Sequence, residues 1–138
     1  MKNMGYHKVY VQRVDHMAGQ YAGYITEMTD TLCKELEINP EWMEQIAITD
    51  ELVLMCNREG AVMGLPLNRA LYDSEGKLIT VTGGNLFIIR KNSGRVGDVT
   101  LEDADLIESR LRAVLRISHG SVYTKAFSEL PVYRNTHN

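Results

Sequence analysis

From Arg110 to Lys125 the chain sets five potential cations, Arg110, Arg112, Arg116, His119 and Lys125, in a stretch without one acid. Guanidinium groups present a planar fork of donors that matches phosphate or carboxylate oxygens. Arg69, Arg90 and Asn92 add to the set, and Tyr21, Tyr24, Phe87 and Tyr123 offer rings on which a base could stack. Contacts to phosphate, base and sugar together would suit a nucleotide. Part of the basic run has a plainer cause. Cations near a helix C-terminus complement its dipole, and Glu108 with Arg112 makes an i,i+4 pair worth about 0.2–0.5 kcal/mol. Arg112 and Arg116 would repel each other at the same spacing on a helix. A bound phosphate, or Glu102 or Asp105 of a second subunit, would remove that cost.

Catalytic templates are absent. The chain has no GxSxG, no P-loop, no HExxH and no GxGxxG between a strand and a helix. Ser118-His119-Gly120-Ser121 puts an imidazole beside two hydroxyls, but neighbours in sequence are not a triad. His7, His16 and His137 are scattered. Asp50-Glu51 suits a β turn, and Asp103 with Asp105 suits the first turn of a helix. Cys33 and Cys56 lack metal-ligand spacing and read as reduced, buried, small apolar residues. No catalytic residue, metal or cofactor is expected, and the protein is not expected to be an enzyme.

A chain of 138 residues with 44% hydrophobic and 24% charged residues fits one packed domain over 1–138. Its net charge of -3 argues against general nucleic-acid binding, which needs a basic face. No apolar run is long enough to span a bilayer, so no membrane association and a cytosolic location are expected.

The elements that would hold these residues read as α+β, a mostly antiparallel sheet with a long C-terminal helix and a short helical insertion. Tyr6 to Val14 suits a half-buried strand, with Val9 and Val11 alternating against Lys8, Tyr10 and Gln12. Asp15 could cap a helical turn through Met17 and Gln20, after which Tyr24 to Met28 is extended. Residues 29–45 read as helical in two pieces, with Leu32, Leu36 and Ile38 on one stripe and Asn39-Pro40 as a cap. Trp42 either pins this insertion to the core or faces a partner. Ile46 to Asn57 is a β run broken at Asp50-Glu51, and Leu78 to Lys91 is another, interrupted at Gly83-Gly84. Pro66 could start one helical turn through Leu71. Thr100 with Asp103 approximates a capping box for a helix over 101–118, whose face carries Leu101, Ala104, Ile107, Leu111, Val114 and Leu115. Gly120 would stop it, leaving an apolar tail that packs or pairs with another subunit.

Asn57-Arg58-Glu59-Gly60, Gly64-Leu65-Pro66-Leu67-Asn68-Arg69 and Gly83-Gly84 resemble the shared core of a domain-of-unknown-function family common in phages, prophages and conjugative elements of gut Firmicutes. The resemblance spans about residues 17–96 and includes Gly23-Tyr24-Ile25-Thr26-Glu27, while Arg58 stands where relatives often carry an acid. Within that core Asn68 and Arg69 either lock a β connection or line a pocket for an anion. The resemblance implies an accessory protein of a mobile element, acting in the host bacterial cytoplasm against antiviral defence. Joined to the arginines, that suggests sequestration of a nucleotide immune signal, such as a cyclic oligonucleotide or a cyclic ADP-ribose product, by a homo-oligomer. The alternative is a protein-protein inhibitor of a host defence nuclease such as a CRISPR effector, working through the Trp42 insertion or an acidic face. A hydrolase of nucleotide ligands ranks third, for want of a nucleophile or metal set.

Overall fold

The computed structural model describes residues 5–134. In chain order the strands are β1 Lys8–Gln12, β2 Val14–Asp15, β3 Gly19–Gln20, β4 Tyr24–Glu27, β5 Met43–Ala47, β6 Leu52–Asn57 and β7 Leu67–Tyr72. They continue with β8 Leu78–Gly83, β9 Leu86–Asn92, β10 Arg95–Gly97, β11 Leu111–Ser118 and β12 Ser121–Lys125. Helix α1 is Leu32–Glu35 and helix α2 is Leu101–Arg110.

Leu86-Phe87-Ile88-Ile89 is apolar without alternation, the pattern of a strand covered on both faces, and β9 lies at the centre of the first sheet. The strand order there is β4-β1-β9-β6-β5, with β10 pairing the far end of β9. Leu86 and Ile88 join Tyr10, Leu54, Cys56, Leu71, Ile107 and Leu111 in the main core, which α2 and the second sheet close. Phe87 and Ile89 point the other way, to Val9, Val11, Met55, Leu32, Leu36 and Ile38. The insertion therefore covers the outer face of the first sheet. This is why β1 is buried on both faces rather than half-buried; Gln12 shares the Tyr10 face and lies inside with it.

The second sheet runs β12-β11-β7-β8, and β2 pairs β3 in a small hairpin. Every strand pairing described is antiparallel.

The expectation of a long C-terminal helix over 101–118 is wrong. The capping box at Thr100 and Asp103 forms, but α2 has only 10 residues and Leu111 is already extended. Leu111, Arg112 and Ala113 pair with Leu71, Ala70 and Arg69 of β7, and that ladder takes the backbone out of the helix. Leu111 and Val114 stay buried as strand residues, whereas Leu115, expected on the same apolar face, is 59% exposed. The helical turn expected after Pro66 is strand β7. The helical insertion shrinks to the four residues of α1 and a 3-10 turn at Pro40–Trp42, and Met43 to Gln45 belong to β5. Asp15 serves a hairpin turn, its Oδ1 accepting from the N–H groups of Met17 and Ala18. The fold is thus mostly antiparallel sheet, with one helix of about ten residues. No helix among the described residues is long and apolar enough to cross a membrane.

Candidate functional site

Arg69 is fully buried on β7. Its Nη1 donates to the Asn68 carbonyl at 3.0 Å and to Asn68 Oδ1 at 2.9 Å, and its Nη2 donates to the Tyr21 carbonyl. Phe127 lies under the guanidinium at 5.0 Å from the ring centre. Burial pulls the guanidinium pKa down to about 10, so it remains charged at neutral pH. A ligand arriving from solvent does not meet the Arg69 guanidinium. Asn68 is equally enclosed, its amide donating to the carbonyls of Gln12 and Gly84.

Arg90 is taken up inside the fold. It donates from Nη1 to Asp103 at 2.7 Å and from Nη2 to Glu51 at 3.0 Å. Asp103 thus closes the α2 capping box and neutralises an arginine from the neighbouring sheet. Asp103→Ala removes both and should cost about 1–3 kcal/mol in chemical denaturation, more than a cap alone. Asn92 is exposed at the end of β9, opposite Arg95.

Arg110 and Arg112 do meet. The α2–β11 junction carries both into a cleft of about 460 Å³ with Tyr72, Ser74, Ser109 and Thr124. The Arg112 guanidinium stands 5.9 Å from the Tyr72 ring centre, and Arg110 Nη1 reaches the Ile48 carbonyl at 3.4 Å. No ion pair engages either arginine among the described residues. One carboxylate, Asp73, also lines the cleft. Its Oδ1 accepts from the backbone of Glu75 and Lys77, and the Lys77 N–H is the chief cause holding its carboxyl below the ordinary value. Two guanidiniums against one carboxylate, on which the charge of Arg110 already acts, leave the cleft net cationic. Arg116 lies further along β11 with its guanidinium 4.7 Å from the Tyr123 ring, outside the cleft. Arg112 and Arg116 are on an extended strand, so the helical i,i+4 repulsion expected between them does not arise.

Asn57, Leu65, Pro66 and Asn85 line a second cleft, also about 460 Å³, against Arg13, Tyr21 and Tyr133. Its asparagines are structural staples. Asn57 accepts from Asn39 N–H and donates to the Glu37 carbonyl, while Asn85 accepts from Val14 N–H and donates to the Leu36 carbonyl. Arg13 sits 4.3 Å from the Tyr133 ring. Trp42, for which pinning the insertion was one reading, is 47% exposed beneath Arg58 at 5.3 Å.

No group of three His, Cys, Asp or Glu fit to hold a metal occurs among the described residues. His137 lies outside them. Burial pushes the Cys56 thiol up to about 12, which keeps it protonated and unreactive at neutral pH. The cleft residues missed from sequence were Tyr72, Ser74, Ser109 and Thr124. The signal for Tyr72 was its place in a β-prone run, which sets it opposite the strand that carries Arg112.

A family model described as a domain of unknown function, DUF3846, matches residues 14–112. The chain belongs to the DUF3846 family. No curated protein and no solved structure matches it. The DUF3846 match extends on both sides beyond the expected core of 17–96, taking in β2, the capped helix α2 and the first two residues of β11. Arg110 and Arg112 fall inside it. The rest of β11 and all of β12 fall outside.

Proposed function

We propose that this DUF3846 protein is a non-enzymatic binding protein of a phage or mobile element that sequesters a phosphorylated nucleotide used as a host immune signal. The observation that carries the reading is the meeting of Arg110 and Arg112 in one cleft with no ion pair to either among the described residues. A phosphate would take the two forks, with Tyr72 orienting Arg112 from below and the Ser74, Ser109 and Thr124 hydroxyls within the same cleft for a sugar.

Calorimetry with a cyclic dinucleotide, cyclic ADP-ribose and inorganic phosphate tests this. Arg112→Ala should weaken binding of the preferred nucleotide about 10- to 100-fold, the loss of one charge-assisted pair. Arg112→Lys should recover only part, because the fork is lost. Heating the loaded protein should return intact nucleotide. Absence of binding to any of these ligands removes the reading, altered nucleotide points to a hydrolase, and co-purification of a nuclease instead points to an inhibitor of host defence.

A further inference from the structure

The β11–β12 hairpin leaves the body of the protein as an arm. Pairing of β11 with β7 stops at Ala113, where the Gln20 side chain fills the fork by donating to the carbonyls of both Leu67 and Val114. Beyond that point β11 keeps β12 as its one strand partner among the described residues, so its other edge presents unpaired backbone groups. The register shifts between Val114 and Arg116, leaving Leu115 as the extra residue of a bulge. Leu115, Ile117 and Tyr123 are 59%, 47% and 42% exposed on this arm. Exposed apolar side chains beside open strand edges are unusual in a protein that stays single.

Charge indicates what covers the arm. Val114 to Lys125 carry Arg116 and Lys125 and no acid, while the whole chain is at -3, so the rest holds five negative charges in excess. A second arm would therefore be repelled, and the acidic body of another copy attracts. The edge that fits is β5. It pairs only β6 among the described strands, leaving its outer side open. From Ile38 to Asn57 there are acids at Glu41, Glu44 and Asp50, besides Glu51, which Arg90 holds, and no Lys or Arg. Glu41 and Glu44 are exposed.

We infer that the β11–β12 arm of one copy docks along the open β5 edge of a second copy, with Arg116 and Lys125 facing Glu41 and Glu44, and that the exchange is reciprocal and closes a two-fold dimer. The inference does not use the Arg110–Arg112 cleft and does not depend on what that cleft binds.

Sedimentation velocity over a concentration series tests it, with two charge-reversed chains. The arm-reversed protein is Arg116→Glu with Lys125→Glu, and the edge-reversed protein is Glu41→Lys with Glu44→Lys. The wild-type chain should be a dimer, and each reversed protein alone should associate at least about 100-fold more weakly, since like charges then face across the interface. Mixing the two restores opposite charges at both contacts and should restore the dimer. That rescue also shows that both variants are folded. A wild-type chain that stays monomeric throughout, a dimer indifferent to either reversal, a mixture that fails to associate, or a mass beyond the dimer each overturns the inference.

Discussion

Replacing Arg69 by alanine should cost about 3–5 kcal/mol and lower the denaturant midpoint more than any substitution in the Arg110–Arg112 cleft. Arg69 is the largest of the fully buried side chains, so truncation opens a cavity against Phe127. It also leaves Asn68 Oδ1 and the Tyr21 carbonyl short of a donor. The charge itself is a burden there, because burial holds the guanidinium pKa down near 10 and no ion pair to it occurs among the described residues. Arg69→Met keeps much of the volume and removes the desolvated charge, so it should cost less than alanine. Arg69→Lys keeps a charge but cannot span Asn68 and Tyr21 together, and should recover little of the alanine loss. Nucleotide binding by the methionine variant, measured below its unfolding transition, should match the wild type. A methionine variant with unchanged stability and lost binding would return Arg69 to the ligand site.

Arg69 also shows where legibility in the sequence ends. Its residue type announced a polar group that must find partners, but those partners include a carbonyl 48 positions away. Arg90 is similar, since Glu51 and Asp103 come to it from a turn and a helix that only the sheet brings together. Local signals did better. The β run Leu78 to Lys91 with its interruption at Gly83-Gly84, the break at Asp50-Glu51 and the Thr100–Asp103 cap each have a cause within a few residues, and each is found in place. The end of α2 has no such cause. Helical spacing continues through Leu111, Val114 and Leu115, and no Gly or Pro interrupts it before Gly120. What stops the helix is pairing with β7, a contact about forty residues back in the chain. One local clue did exist. His119 and Gly120 take φ values of 45° and 80° and join Ser118 to Ser121 as a two-residue hairpin turn between β-branched segments. Read as a helix stop, Gly120 concealed that hairpin, and with it the separation of Arg116 from the cleft that holds Arg112.

Gly60→Ala and Gly83→Ala should each destabilise the protein by about 2–4 kcal/mol, and the double variant should cost clearly less than their sum. Neither glycine has a positive φ, so conformational freedom is not the reason. The two backbones lie against each other. A Cβ on Gly60 would overlap the Gly83 carbonyl oxygen, and a Cβ on Gly83 would fall 2.5 Å from Ala61 N and 2.6 Å from the Gly60 carbonyl carbon. Backbone cannot swing aside as a flexible side chain can, so the loop after β6 must lift from the end of β8. Gly84 N–H bonds the Pro66 carbonyl and Asn68 donates to the Gly84 carbonyl, so that lift would also strain the entry to β7. Once one alanine has forced the segments apart, the second enters space already opened, and this is the source of the non-additivity. Gly64 is the control: its φ of 88° strains an alanine, but a Cβ there has nothing within 4 Å, so the cost should be nearer 1 kcal/mol and additive with Gly60→Ala. A double-mutant cycle in urea measures all of these terms. Additive costs at Gly60 and Gly83 would mean that the two backbones do not touch.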